Sequence, residues 1–120
     1  MKLEDLEVYQ LSREISRDAW RIYERLDIQV RRVAGDQFIR AADSVGANIA
    51  EGWGRFHYAD KNKFNYNARG SLLEVMHWLD ILCERGSISE SENKIIREKL
   101  ETLHLKLNNY INTTRKQIIK

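Results

Sequence analysis

The sequence contains no proline, and its six glycines cluster at a few positions. Proline interrupts helices and glycine weakens them, so their scarcity leaves long stretches of the chain free to be helical. No stretch alternates polar and apolar residues for long enough to indicate a β-strand. The sequence therefore predicts an all-α protein.

Cysteine occurs once, at Cys83, which excludes an intramolecular disulfide. The first nine residues are acidic and lack the apolar core of a signal peptide. No run approaches the roughly 20 apolar residues that a membrane-spanning helix needs. We therefore expect a cytoplasmic protein with no membrane partner. A hydrophobic content of 42% over 120 residues fits one domain that spans residues 1–120.

Apolar residues recur three or four positions apart in four segments, which is the spacing of one helical face. We expect helices from about residue 5 to 27, from about residue 36 after a break at Gly35, and from about residue 60 to a stop at Gly86. A fourth helix follows a capping box of Ser89 and Glu92. Short links favour an antiparallel up-down-up-down four-helix bundle. The link at residues 28–35 stays open, since its apolar residues could extend the first helix.

The third helix also carries apolar and aromatic residues opposite its core stripe. They are Tyr66, Leu73, His77 and Ile81. On the first helix, Tyr9 and Trp20 likewise lie off the core stripe. An organised second apolar face indicates contact with another subunit, so these residues predict a homo-oligomer.

The second and third helices carry matching polar strips beside their apolar stripes. The strips comprise Arg40, Ser44, Asn48, Glu51, Arg55, Asn67, Ser71 and Glu74. We expect a structural hydrogen-bonded network that sets the register of the two helices. The expected pairs are Asn48 with Asn67, Ser44 with Ser71, and Arg40 with Glu74. Small residues at Gly46 and Gly70 would let these helices approach closely, and a ligand contact through Asn48, Glu51 and Arg55 remains the alternative.

Two Glu-x-x-His motifs, at residues 74–77 and 101–104, have the spacing of di-metal sites in helical bundles. On a helical wheel, however, His77 points away from the core, and Glu74 and Glu101 lie well off their core stripes. Cys83 has no evident activating base, and the glycines end a helix instead of opening a phosphate loop. We expect no metal, no cofactor, no small-molecule substrate and no enzymatic activity, with a di-metal enzyme as the remote alternative.

The segment AADSVGANIAEGWGR, residues 41–55, resembles the signature of the four-helix-bundle proteins encoded in intervening sequences of bacterial 23S rRNA genes. LEVYQ at 6–10, ARGSLLE at 68–74 and GSIS at 86–89 resemble other motifs of the same family. The chain departs from the family in lacking a Phe-Pro pair after the first helix. The resemblance implies an antiparallel four-helix bundle, commonly a ring of five, with no known enzymatic activity. More distantly, the fold is similar to the accessory variability determinants of diversity-generating retroelements, which are pentamers that bind nucleic acid and a reverse transcriptase.

The resemblance and the charge distribution together predict an oligomeric binding or scaffold protein whose partner is RNA or an RNA-associated protein such as a reverse transcriptase. The candidate contacts are Tyr9, Arg13, Arg17, Trp20, Arg21, Arg115, Lys116 and Lys120. The net charge is only +2 per chain, so phosphate binding would depend on repetition of this patch around a ring. Two alternatives stay open. The arginines could close helical ion pairs with Glu14 and Asp18, and the protein could be a structural module that binds other proteins without nucleic acid.

Overall fold

The computed structural model describes residues 1–119, which form four long helices and no β-strand. The helices are α1 (Glu7–Arg25), α2 (Asp36–Trp53), α3 (Tyr58–Glu84) and α4 (Glu90–Ile119). A short 3-10 turn, Leu3–Asp5, precedes α1. The predicted all-α class is confirmed. None of the helices within residues 1–119 is both long and apolar enough to cross a bilayer.

The link between α1 and α2 is helical over most of its length. A single α-turn, Ile28–Val30, and a π-helical turn, Arg31–Gly35, continue directly into α2. The break expected at Gly35 is wrong, because this residue has φ −59° and ψ −42°. The chain reverses earlier, where Leu26 and Asp27 are extended, and the Asp27 carboxylate accepts a hydrogen bond from the Val30 amide at 3.0 Å. A Cβ at Gly35 would lie 2.9 Å from Leu26 Cδ1, so a larger residue there would require the Leu26 side chain to shift.

The turn between α3 and α4 has the predicted signals at both ends. Gly86 adopts φ +78°, the left-handed conformation that glycine reaches without strain. The Ser87 amide donates to the Leu82 carbonyl at 2.8 Å, which satisfies an otherwise free carbonyl at the end of α3. At the start of α4, the Glu92 amide donates to Ser89 Oγ at 3.1 Å and the Ser89 amide to Glu92 Oε1 at 3.3 Å. The helix stop and the capping box are both confirmed.

The core is built from the apolar stripes of all four helices. α1 packs against α2 and α4, and α3 packs against the same two helices. Its largest fully buried side chains are Ile15, Phe38, Val45, Ile49, Leu72, Val75, Leu79, Leu82, Leu100, Leu103, Leu107 and Ile111. Ile118 continues the three- and four-residue spacing of the α4 stripe but is 46% exposed. Asn62 of α3 meets Ile111 of α4, and α3 begins only four residues before Asn62, so Ile118 extends past the end of its neighbour.

Candidate functional site

A groove with a volume of about 610 Å³ lies between α1 and α2. It is lined by Tyr9, Arg13, Ser16, Arg17, Trp20, Arg21 and Glu24 of α1 and by Asp43, Gly46, Ala47 and Ala50 of α2. The residues of α1 recur at three and four positions, which places them on one face beside the core stripe. Apart from Asp43, the residues of α2 are small, so they form a low floor beneath the long side chains of α1.

The floor of the groove is shaped by a close approach of the two helices. A Cβ at Gly46 would lie 2.9 Å from Ser12 Oγ. Ser12 is fully buried, and its hydroxyl donates to the Tyr9 carbonyl at 2.6 Å. Gly46 therefore serves the contact of α2 with α1, whereas the sequence assigned it to the contact with α3. Gly70, assigned the same role, has nothing within 4 Å of where its Cβ would be, and Gly52 instead lies tight against the Lys61 carbonyl of α3.

The three arginines of the groove differ in their partners. Arg21 Nη1 lies 3.0 Å from Asp18 Oδ1, so the ion-pair alternative describes this residue. Arg13 Nη1 donates to the Tyr9 hydroxyl at 2.9 Å, a neutral partner. Arg17 forms no ion pair among the described residues, and Glu14, its expected partner, pairs with Lys99 of α4 at 3.0 Å. Two exposed guanidinium groups, Arg13 and Arg17, thus lack a carboxylate partner within residues 1–119.

An aromatic pair lies at one end of the groove. Trp20 and Tyr23 stack with ring centroids 5.5 Å apart and an interplanar angle of 22°. The Tyr23 hydroxyl donates to Asp36 Oδ1 at 2.6 Å. This hydrogen bond, with burial and the negative charge of Asp36, raises the pKa of the Tyr23 phenol, which stays a donor at neutral pH. Arg31 lies over the Tyr23 ring at 4.9 Å and donates through Nε to the Tyr23 carbonyl at 3.1 Å.

Sequence reasoning missed Tyr23, Arg31 and Asp36. Tyr23 follows directly after the core residue Ile22. The apolar pattern predicts that Asp36 begins a separate helix, so a contact between the two residues was not expected. Only the π-helical turn brings Arg31 back over the end of α1, and periodicity gives no sign of such a turn. The available signal was chemical: an aspartate and an arginine lie within reach of an aromatic residue if the link is helical.

The basic residues at the C-terminal tip lie outside the groove. Arg115 Nη2 donates to the Tyr66 hydroxyl at 3.4 Å, and Arg115 and Lys116 are exposed. Lys120 lies outside the described residues. The structure therefore brings together five of the eight predicted contacts, namely Tyr9, Arg13, Arg17, Trp20 and Arg21.

The polar strips of α2 and α3 meet at one place. Ser44 Oγ and Ser71 Oγ lie 2.9 Å apart, as their expected pairing requires. Asn48 Nδ2 donates to the Ser44 carbonyl at 2.9 Å and to its Oγ at 3.0 Å. The expected pairing of Asn48 with Asn67 is wrong, since the amide of Asn48 reaches a carbonyl of its own helix and Asn67 is exposed.

The outer parts of the strips stay on separate helices. Glu74 Oε2 accepts from Trp78 Nε1 at 3.2 Å within α3, so its expected pairing with Arg40 is also wrong. Arg40 is exposed, as expected for a long charged side chain that keeps its head in water. Arg55, two residues after the end of α2, pairs with Glu51 of α2 at 2.7 Å, and its guanidinium lies 4.7 Å from the centre of the Phe64 ring of α3.

The second face of α3 is largely uncovered in the single chain. Tyr66 is 40% exposed and Leu73 is 48% exposed, while His77 is exposed and stands edge-on to Trp78. Ile81 differs, because it is half-buried against the core. Three of the four candidate interface residues thus present apolar or aromatic surface to solvent.

The remaining candidates for chemistry do not converge. Within residues 1–119, no three His, Cys, Asp or Glu side chains lie close enough to share a metal ion. Glu74, one ligand of the alternative di-metal site, accepts a hydrogen bond from Trp78, and Cys83 is half-buried against the core.

The chain is thus a four-helix protein with an arginine-lined groove between α1 and α2 and a half-exposed aromatic ring, Trp20, in that groove. The sequence profile described as 23S rRNA-intervening sequence protein matches residues 4–109, and the chain belongs to this family. A crystal structure from Bacteroides thetaiotaomicron, of a protein with unknown function from the S23 ribosomal protein family, is similar at a TM-score of 0.81. The two are 24% identical over 87% of this chain and 97% of the other, which shows a common fold. A comparison with curated proteins gave no match.

Proposed function

We propose that this protein is a non-enzymatic, oligomeric binding protein whose α1–α2 groove holds RNA. The observation that carries the proposal is that Arg13 and Arg17, free of carboxylate partners within residues 1–119, lie on one face with the half-exposed ring of Trp20. Guanidinium groups attract phosphates, and aromatic rings stack on bases. An RNA-associated protein, such as a reverse transcriptase, is a further partner that an RNA-bound scaffold would meet.

We further propose that the four helices form an up-down-up-down bundle that assembles into a ring, with five subunits as the family resemblance implies. The pairs Glu7 with Lys106, Asp18 with Lys99 and Arg25 with Glu92 support opposite directions for α1 and α4, since residue numbers rise on one helix as they fall on the other. The exposed Leu73 and Tyr66 support assembly through α3. A ring would repeat the groove, which compensates for the small charge of each chain.

The test is charge reversal at the proposed RNA contacts. A double variant, R13E/R17E, should lose most of its retention on an immobilised RNA at low salt, because each reversal replaces phosphate attraction with repulsion. A matched control, K63E/K94E, makes the same change of net charge at exposed positions outside the groove. If the unmodified protein is not retained on RNA, or if R13E/R17E is retained as strongly as the unmodified protein, the proposal that the groove holds RNA is wrong.

One observation favours a second function, a module that binds protein without nucleic acid. On α4, Ile95 is 57% exposed and Leu105 is 64% exposed. These apolar side chains have no preference for phosphate. A pulldown after nuclease treatment separates the two functions. Recovery of the same partner protein with and without nuclease supports the protein module, and loss of all partners after nuclease supports RNA.

A further inference from the structure

The stacked pair Trp20–Tyr23 has one end that opens into the groove. Tyr23 covers part of Trp20 at a centroid distance of 5.5 Å, and Tyr23 itself does not line the groove. Trp20 does line it and remains 51% exposed. An indole that is held in place on one side and half-open on the other can accept a third flat ring.

The position of the stack is fixed before any ligand arrives. Tyr23 is held through its hydroxyl by Asp36 at 2.6 Å, and Arg31 covers its ring at 4.9 Å while bonding to the end of α1. A ring that is already held in one orientation loses little conformational entropy when a ligand stacks on it. These contacts join α1 to the helical link through Arg31 and to the first residue of α2 through Asp36, so the orientation of Trp20 depends on separate parts of the chain.

The charges beside the stack fit a strand that runs along α1. Arg17 and Arg13 follow Trp20 at successive turns toward the start of the helix, and each turn advances about 5.4 Å. A strand with one base on Trp20 can therefore place its neighbouring phosphates beside both guanidinium groups. Glu24 and Asp43 also line the groove. Their carboxylates cannot bind phosphate, but they can accept hydrogen bonds from base amino groups or ribose hydroxyls.

We propose that the groove prefers single-stranded RNA to duplex RNA, with an unpaired base stacked on Trp20 and phosphates at Arg17 and Arg13. This inference rests on the proposed RNA-binding function. In duplex RNA the bases are already stacked inside the helix, so only an unpaired base can extend the Trp20–Tyr23 stack.

The experiment compares the affinities of a single-stranded RNA of about 12 nucleotides, within typical site sizes, and of its duplex. We expect the single strand to bind more tightly, and Trp20→Leu to weaken it by about tenfold with little effect on the duplex. Trp20→Phe, which keeps a flat ring, should retain most of the affinity. Phe56→Leu is the matched control, because Phe56 is an aromatic residue exposed by 89% outside the groove.

The outcomes separate this inference from the function on which it rests. If R13E/R17E loses RNA binding but W20L binds as the unmodified protein does, the groove binds RNA and the stacking inference is wrong. Equal affinity for duplex and single strand also overturns it. A change of solution mass in W20L would make the groove a subunit contact and overturn it as well. If R13E/R17E itself binds normally, the proposed function fails.

Discussion

The distance between α1 and α2 depends on two small residues, Gly46 and Ser12. Gly46 leaves room for the hydroxyl of Ser12, which is buried and bonded to its own helix. The sequence indicated which face of α2 is small. It could not indicate which neighbour that face meets, because periodicity gives the direction of a side chain and not the helix opposite it.

Gly46→Ala tests this contact. The added methyl would lie 2.9 Å from Ser12 Oγ, so we expect the free energy of unfolding to fall by about 1–2 kcal/mol despite the better helix propensity of alanine. Combining it with Ser12→Ala removes the clashing oxygen and should restore most of the loss in a urea titration. Gly70→Ala is the control, since its methyl meets nothing within 4 Å and should stabilise the chain by about 0.5–1 kcal/mol. A single G46A variant at least as stable as the unmodified protein would contradict the close contact.

The sequence is sufficient to predict the helix ends. It predicts only some of the contacts between the helices. Gly86 and the Ser89–Glu92 box follow local rules, so a few neighbouring residues suffice to predict them. Asn62 and Asn65 of α3 are buried, with only 3% and 1% of their surface exposed. Asn62 donates a hydrogen bond to the Ile111 carbonyl of α4 at 3.0 Å. Apolar periodicity does not predict that such polar residues are part of the core, because their burial depends on a hydrogen-bond partner far away in the chain.

Glu92 links the start of α4 to α1 and gives the chain a pH dependence. Burial opposes its charge, but hydrogen bonds from Arg25 at 2.6 Å and from Ser89 outweigh burial and lower the pKa of Glu92 below its ordinary 4.5. A lowered folded pKa means that this stabilisation is present above pH 4.5 and is lost as the pH falls through the folded value. Glu92→Gln should cost about 1 kcal/mol or less at pH 7 and nothing at pH 2, measured by urea unfolding at both. An equal loss at both pH values would contradict a role for the charge.

At the scale of the whole molecule, the sequence could predict the helical class, most of the core stripes and five of the residues that α1 contributes to the groove. Most of the family motif at residues 41–55 lies on α2, which ends at Trp53 and whose Gly46 and Ala50 form part of the groove floor. The aromatic stack could not be predicted, since it depends on the π-helical path of the link.

The proposed assembly predicts a solution mass that is a multiple of 14.2 kDa, five times that value for a ring of five. Leu73→Arg should reduce the mass by placing an unpaired charge in an apolar subunit contact. Ile28→Arg, on a residue exposed by 66% before α2, should leave the mass unchanged. Sedimentation of the unmodified protein and the two variants measures these masses. A mass of 14.2 kDa for the unmodified protein would contradict assembly through α3.

The central claim is that RNA is held through the phosphate contacts of Arg13 and Arg17. It is tested most directly by the salt dependence of affinity for a short single-stranded RNA. The logarithm of the binding constant should fall linearly with the logarithm of salt concentration, with a slope of about 0.7 per phosphate contact. Replacing both arginines by glutamine should make that slope shallower by about 1.4, whereas K63Q/K94Q should leave it unchanged. Equal slopes in all three proteins would contradict the account.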